Sequence, residues 1–354
     1  MNIPFSGNGF KSVAERSAEE KNNRVNLKGK LLKFGVHFLD LSFRGIFPND
    51  LILIGAPSGI GKTQFCVNMA LKNIEDGKRV HFIALEADDY EIERRLKYSI
   101  VANSYFADHN RPSLSGERLS YVDWAMGEYE MQLRPYESLA ETLMGGYKDL
   151  FTFYKQKEFG YDELIENALS VAMETDLIIV DHVHYFDFED DNENRAVKKI
   201  AKTAREICQL IGKPIVLVAH LRKRDRKGAE LIAGIDEFHG SSDLTKIATK
   251  IVTIAPGNAV APGKYETYFR IPKSRMDGGV TRYVAKLIYD SSMNAYQDEF
   301  MVGVLKNNGT EFSPLAPMDV PFWLRSSKIA VPEVVEPKPI KKTIVNYAPN
   351  RYQD

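Results

Sequence analysis

Short apolar runs alternate along the chain with stretches in which apolar residues recur at helical spacing. A short apolar run bounded by turn residues is typical of a buried strand. Such runs predict strands at Leu51–Ile54, Val80–Leu85, Leu177–Val180, Ile215–Ala219, Ile251–Ile254, Tyr268–Ile271 and Tyr283–Tyr289. The alternation therefore indicates repeated strand–helix units.

Two helices are clearly predicted between these strands. Residues Lys62–Ile74 place apolar side chains on one face, and Gly77 follows where a helix stop belongs. Residues Arg195–Ile211 repeat apolar residues at helical spacing until Gly212. Strands separated by helices predict an α/β fold, with a mostly parallel twisted sheet flanked by helices and ligands at the carboxyl ends of the strands. Residues 90–170 contain helical stretches and turns without a clear order.

The two ends of the chain differ from the middle. Residues 1–32 are polar and mixed in charge, which predicts a linker or docking arm, although Lys11–Asn26 fits a weakly apolar helix. Residues 326–354 contain several prolines and alternating charges, which are typical of a flexible tail. A single α/β domain is expected at 33–325.

Composition and charge narrow the class of protein. The chain has 354 residues, of which 44% are hydrophobic, and it contains no apolar run long enough to span a membrane. Its N-terminus lacks a secretory signal, so we expect a cytoplasmic protein. The two cysteines, Cys66 and Cys208, are too few for a zinc module and fit buried free thiols. Because the net charge is −1, any nucleic-acid contact must come from a local basic patch.

A phosphate-binding loop is predicted between the first strand and the helix that follows. Residues Ala56–Thr63 read APSGIGKT, a P-loop in which alanine replaces the first glycine. Backbone amides of Ser58, Gly59 and Gly61 are expected to surround phosphate oxygens at the helix N-terminus. Lys62 can reach the β- and γ-phosphates of a nucleotide, and the Thr63 hydroxyl can bind Mg²⁺.

Asp181 is the predicted second ligand of Mg²⁺. It ends the apolar strand Leu177–Val180, which would deliver its carboxylate to the phosphate edge of the sheet, in the Walker B arrangement. His182 and His184 follow it and could suggest a metal site. Since no further histidine or cysteine cluster supports such a site, we interpret both as loop histidines.

Two further positions are ambiguous from the residues alone. Glu86 ends the strand after the P-loop helix, where it fits either a catalytic base beside the γ-phosphate or an acidic surface turn. His220 ends the strand Ile215–Ala219 and could contact the γ-phosphate, but a lone histidine is more often structural.

These segments, in this order, resemble the hexameric replicative helicases. That family includes the bacterial DnaB-type enzymes, the helicase half of phage primase-helicases and the mitochondrial replicative helicase. The resemblance covers about Phe34 to Phe300. It includes HFIALE at 81–86, DLIIVDHVHYF at 176–186 and IVLVAHLRKR at 215–224. It implies a RecA-like P-loop NTPase that hydrolyses ATP or another NTP with Mg²⁺, with Glu86 as catalytic base and His220 as γ-phosphate sensor.

The most specific part of the resemblance is IPKSRMDGGVTRYVAKLIYD, from Ile271. It is similar to the family segment whose lysine and arginine reach the nucleotide of the neighbouring subunit. The resemblance assigns these roles to Lys273 and Arg275. A site completed in this way lies between subunits of a head-to-tail homo-oligomeric ring, expected to be a hexamer.

A basic run is the predicted contact with DNA. Five of the six residues at 222–227, shortly after His220, are positively charged. They are Arg222, Lys223, Arg224, Arg226 and Lys227. The resemblance places Asp243, Lys246 and Lys250 in the next channel-facing segment, with Lys246 as a further DNA contact. We expect these residues to track the backbone of single-stranded or forked DNA with little sequence preference.

Three functions remain open at this stage. The main expectation is a ring-forming replicative DNA helicase that moves on one strand and unwinds duplex DNA. The alternatives are a RecA-like strand-exchange ATPase and a nucleotide-switched assembly scaffold. The first 30-odd residues are too few for a primase or a helical collar. We therefore expect a separate primase, loader or polymerase, and such compactness suggests a phage-encoded enzyme.

Overall fold

The helices and strands follow the predicted alternation. The computed structural model describes residues 13–88, 90–114, 118–155, 161–183, 193–221, 230–238 and 242–325. The helices are α1 (Val13–Leu27), α2 (His37–Phe43), α3 (Lys62–Glu75), α4 (Glu91–Ala107), α5 (Tyr121–Ala125), α6 (Glu130–Gly146), α7 (Tyr161–Ser170), α8 (Glu193–Ile211) and α9 (Ser242–Ile247). The strands are β1 (Leu51–Ala56), β2 (Val80–Ala84), β3 (Phe151–Lys155), β4 (Leu177–Asp181), β5 (Ile215–His220), β6 (Lys250–Ala261), β7 (Lys264–Ser274), β8 (Val284–Asp290), β9 (Ala295–Lys306) and β10 (Glu311–Pro314).

All of these strands join one sheet, in the order β10-β9-β8-β7-β6-β1-β5-β4-β2-β3. The six strands from β6 to β3 are parallel to their neighbours, and β7 to β10 extend the sheet as antiparallel strands. The predicted mostly parallel sheet flanked by helices is confirmed. The carboxyl ends of β1, β5, β4 and β2 meet at one edge, where ligands bind in sheets of this kind.

Two hydrophobic cores lie on opposite faces of this sheet. In β1, Ile52 and Ile54 belong to the core that α3 and α4 cover, whereas Leu51 and Leu53 face α7 and α8. Because successive side chains of a strand point to opposite faces, a strand covered on both sides must be apolar throughout. This explains why five of the six parallel strands were recognisable as apolar runs.

Three strands were not predicted, and two of them lie in the antiparallel part of the sheet. In β9 the apolar pattern is interrupted by Gln297, Asp298 and Glu299, and much of the strand is partly or fully exposed. A strand covered on one face gives no continuous apolar run. The short β10 contains Pro314, and β3 lies at the opposite end of the sheet within residues 90–170.

Several smaller predictions are confirmed. Cys66 and Cys208 are buried free thiols. The segment Lys11–Asn26 does contain a helix, α1, whose described side chains are almost all exposed. Within the described ranges, no helix combines the length and the apolar character needed to cross a membrane.

Candidate functional site

The loop between β1 and α3 has the backbone geometry of a phosphate-binding turn. Gly59 and Gly61 have φ angles of 79° and 82°, in the left-handed region that glycine adopts without steric cost. Gly61 directly precedes α3, so the first amides of the helix and its positive dipole end face this loop. Ser58 is exposed in the same loop. The predicted phosphate-binding residues therefore lie together around one helix N-terminus.

Lys62 lies folded against the loop that it follows. Its Nζ atom donates to the carbonyl oxygens of Ala56 (3.3 Å) and Pro57 (3.2 Å) and lies 3.1 Å from Nδ1 of His220. The side chain is buried, and desolvation lowers its pKa, although the carboxylates of Asp181 and Glu86 oppose this shift. The ammonium is partly desolvated and donates to backbone carbonyls, so a phosphate oxygen would be a stronger acceptor for it.

Asp181 reaches the same edge from β4 and has spare binding capacity. It is buried, and its Oδ1 atom has no hydrogen-bond partner among the described residues. Burial raises its pKa to about 6, helped by the charge of Glu86 and opposed by a hydrogen bond from Thr63 and by the charge of Lys62. The Thr63 hydroxyl and the Oδ1 atom of Asp181 are oxygen ligands of the kind that a divalent cation such as Mg²⁺ prefers.

A chain of hydrogen-bonding side chains crosses the carboxyl edge of β2, β4 and β5. Oε2 of Glu86 lies 2.9 Å from Nε2 of His182, and that nitrogen lies 2.9 Å from Nε2 of His220. On its other side, Nδ1 of His220 faces Lys62 and lies 3.4 Å from Oγ of Ser58. Glu86 is about half exposed (52%), whereas His182 is buried (2%). The two ambiguous residues, Glu86 and His220, are thus part of one site with the P-loop.

His182 and Arg95 are site residues that the sequence did not reveal. His182 lies in the loop after β4, as interpreted, but its buried ring also lies between Glu86 and His220, a position that the sequence did not indicate. Arg95, on α4, lowers the pKa of Asp181 by its charge and contacts Gln64 of α3 at 3.4 Å. The one available signal for His182 was its position directly after the Asp181 strand.

The predicted cationic pair lies at the opposite edge of the sheet. In β7, Ser274 pairs with Lys250 at the start of β6, and Lys250 pairs with Ile52 near the start of β1. Lys273 and Arg275 therefore lie at the amino end of β1, roughly 13 Å from the P-loop along the strand direction alone. Neither side chain completes the nucleotide site of its own chain.

Lys273 and Arg275 differ in how they are held. The Nζ atom of Lys273 donates to the carbonyl oxygens of Thr245 (2.6 Å) and Lys246 (2.8 Å) in the last turn of α9, where a cation also meets the negative end of the helix dipole. The side chain of Arg275 is exposed, and its backbone N–H donates to Thr249 (2.9 Å). Lys246 is exposed at the same edge.

The placement of Lys250 in a channel-facing segment is wrong. Its side chain is buried and forms an ion pair with Asp50, and its Nζ atom also donates to the carbonyl oxygen of Gly45 at 3.2 Å. The ring of Phe47 lies 4.5 Å from the ammonium. Lys250 is a structural residue, because a charge sequestered in this way cannot meet a DNA phosphate.

Two sets of predicted residues fall outside the described residues. They are His184 and the basic run of Arg222, Lys223, Arg224, Arg226 and Lys227. Asp243 lies in α9. Leu221, the last described residue before the basic run, follows His220 directly.

Comparison with known families decides which P-loop class the site belongs to. A family described as "DnaB-like helicase C terminal domain" matches residues 32–296, which is well over half of the chain. The chain belongs to this family. The matched region of this DnaB-like helicase domain contains the P-loop, Glu86, Asp181, His182, His220, Lys273 and Arg275.

Individual relatives agree with this assignment. The replicative DNA helicase DnaB of Nostoc sp. strain PCC 7120 is 23% identical over 248 residues, which cover 69% of this chain. The match spans 26% of that protein, so the chain corresponds to about a quarter of its length.

Solved structures show the same fold as this DnaB-like domain. An isolated ATPase domain has a TM-score of 0.66 and 14% identity, over 81% of this chain and 99% of that chain. A DnaB-like replicative helicase, solved in a study of its interactions with primase, has a TM-score of 0.58 and 15% identity, over 81% of this chain and 67% of that chain. At these identities the likeness establishes the RecA-like fold.

Proposed function

We propose that this chain is the ATP-hydrolysing motor of a replicative DNA helicase, which forms a ring, moves along single-stranded DNA and unwinds the duplex at a fork. The observation that carries the proposal is the separation of two half-sites within one chain. The P-loop, Asp181 and Glu86 meet at the carboxyl edge of the sheet, while Lys273 and Arg275 lie at the amino edge. In a head-to-tail ring, the second half-site of one subunit meets the first half-site of the next.

Each of the side chains at the carboxyl edge has a separate role in hydrolysis. Lys62 binds the β- and γ-phosphates of ATP or another NTP in place of the loop carbonyls it contacts here. Thr63 and Asp181 would hold Mg²⁺, which would supply positive charge at the phosphates. Glu86 orients the attacking water and accepts its proton, and His220 contacts the γ-phosphate.

The neighbouring subunit stabilises the charge that develops on the γ-phosphate. The exposed Arg275 is the cation placed best for this role, and a trans arginine of this kind raises turnover by about 10³–10⁵ in other P-loop enzymes. Lys273, which here caps α9, serves beside it. A lone chain therefore has an incomplete site, and hydrolysis depends on assembly.

We expect DNA to be bound by the basic run that follows His220 and by Lys246. The basic run Arg222–Lys227 begins two residues after His220, and Lys246 is exposed at the end of α9. Cations that bind phosphates of one strand give affinity without sequence preference. We propose a motor at 33–325, a docking arm at 1–32 and a tail at 326–354, of which the tail lies outside the described residues. A separate primase, loader or polymerase is the partner expected for such a motor.

Unwinding of a forked DNA duplex tests the proposal. With ATP and Mg²⁺, the wild-type protein should separate the strands, and Lys62→Ala should abolish the activity because the phosphates lose their cation. Retained folding of the variant is checked by thermal melting. Absence of strand separation by assembled, ATP-hydrolysing wild-type protein would contradict the proposal. Exchange of strands between homologous duplexes without unwinding would support the recombinase alternative instead.

A further inference from the structure

His182 occupies the central position among three site residues. Glu86 follows β2, His182 follows β4 and His220 ends β5, and β4 lies between the other two strands in the sheet. A single atom, Nε2 of His182, is 2.9 Å from both the Glu86 carboxylate and Nε2 of His220. The predicted base and the predicted γ-phosphate sensor are thus joined by one buried ring.

The geometry favours hydrogen bonds over a bound transition metal. Glu86, His182 and His220 each offer a ligand atom, and these atoms all lie within 4.8 Å of one another. Two imidazole nitrogens on a tetrahedral Zn²⁺ with bonds of 2.0–2.1 Å would be about 3.3 Å apart. The two Nε2 atoms are 2.9 Å apart, which is the usual length of a direct N–H···N contact.

With a carboxylate at Glu86 and two neutral imidazole rings, only one arrangement of protons fits these two contacts of His182. A ring nitrogen carries either a proton or a lone pair, and a lone pair on Nε2 of His182 would repel the Glu86 carboxylate. With its proton on Nε2, His182 donates to Glu86 and shares that proton with the lone pair on Nε2 of His220. Neutral His220 then carries its own proton on Nδ1, the atom that faces Ser58 and Lys62.

The contact of His220 with Lys62 opposes this arrangement. The Lys62 ammonium, 3.1 Å from Nδ1 of His220, needs an acceptor there rather than a donor. A γ-phosphate that binds the ammonium would remove this competition and would itself accept a hydrogen bond from Nδ1. Phosphate binding therefore favours the arrangement in which His182 donates to Glu86.

We propose that His182 is a positioning residue that orients the carboxylate of Glu86. When His220 contacts the γ-phosphate, His182 donates its hydrogen bond to Glu86, so the orientation of Glu86 depends on that contact. The inference rests on the proposed function, because it concerns the same hydrolytic site. His182 touches neither the water nor the nucleotide in this role. It acts through Glu86, so that the base is held in place when a nucleoside triphosphate is bound.

The test compares His182→Ala, His182→Gln and a matched control in steady-state ATPase assays with single-stranded DNA present. His182→Ala should lower kcat about tenfold to a hundredfold, a part of the roughly 10²–10⁴ that a general base supplies, and leave KM within about threefold. His182→Gln should recover most of kcat, because the glutamine amide can donate to Glu86. The control is His81→Ala, since His81 is also buried but bonds Thr152 and Asn167 away from the site.

A double substitution separates positioning from general damage. If His182 acts through Glu86, then Glu86→Gln and Glu86→Gln/His182→Ala should have the same residual kcat. A further large loss in the double variant would overturn the inference, as would a His182→Ala enzyme within about threefold of wild type or a His182→Gln enzyme as slow as His182→Ala. Wild-type protein without any ATPase activity would overturn the proposed function as well, so the two failures can be told apart.

Discussion

Asp181 combines deep burial with a carboxylate oxygen that has no hydrogen-bond partner in the part of the chain that the structure describes. Its pKa is raised from 3.8 to about 6, chiefly by desolvation. The carboxyl group therefore holds a proton below about pH 6 and is ionised above it. In the proposed site Mg²⁺ needs the ionised form, so a proton and the cation would compete for the carboxylate of Asp181.

This competition predicts a pH-dependent requirement for Mg²⁺. Binding of a fluorescent ATP analogue is followed as Mg²⁺ is added. The Mg²⁺ concentration that gives half-maximal binding should rise about tenfold per pH unit below pH 6 and should be constant above pH 7. Asp181→Asn is the matched control, because it lacks the titrating group but retains the pH effect of the phosphates of the nucleotide. The same pH dependence in wild type and Asp181→Asn would contradict a Mg²⁺-binding role for Asp181.

At the scale of single residues, the site was predictable where chemistry follows a short motif. The P-loop residues and Asp181 were predicted from a strand followed by a turn, whereas the same pattern left Glu86 ambiguous and only the family resemblance assigned it a role. His182 was missed because its role depends on the sheet order β5-β4-β2, which places its strand between those of Glu86 and His220. Sequence order gives β2, β4, β5 but does not reveal which strand is central.

At the scale of secondary structure elements, the local sequence revealed some strands but not the strands and contacts that depend on distant residues. Parallel strands that are buried on both faces were visible as apolar runs, whereas β9 and β10 were hidden by polar residues on their exposed sides. Lys250 was misplaced for a related reason. Its ion-pair partner, Asp50, is 200 residues away in the sequence, and pairing of β6 with β1 brings the two together.

Lys250 and Lys246 should therefore have opposite effects when they are replaced. Lys250→Ala leaves a buried Asp50 without its cation and should lower the free energy of unfolding by about 3 kcal/mol or more. Lys246→Ala, at an exposed position, should leave stability unchanged but weaken binding of single-stranded DNA. Chemical denaturation and fluorescence anisotropy at fixed salt measure the two effects. Weakened DNA binding with full stability in Lys250→Ala would show that the buried ion pair is not the main role of Lys250.

For the whole molecule, the proposed function requires two chains at each complete site, because Arg275 lies at the amino edge of the sheet. Lys62→Ala subunits lack the phosphate-binding cation and Arg275→Ala subunits lack the trans cation, so either protein alone should hydrolyse little ATP. In a mixture, some interfaces join an intact P-loop to an intact Arg275. ATPase activity should therefore reappear and should peak at intermediate mixing ratios. If no ratio restores activity while mixed oligomers form, Arg275 does not act across the interface.

The ATPase rate per chain shows whether this protein is a DNA-dependent motor whose sites form between subunits. The rate should be measured across protein concentration, with and without single-stranded DNA. We expect the rate per chain to rise cooperatively with protein concentration as chains assemble, and to rise further when DNA is added. A rate per chain that is constant across concentration and unaffected by DNA would contradict a motor of this kind.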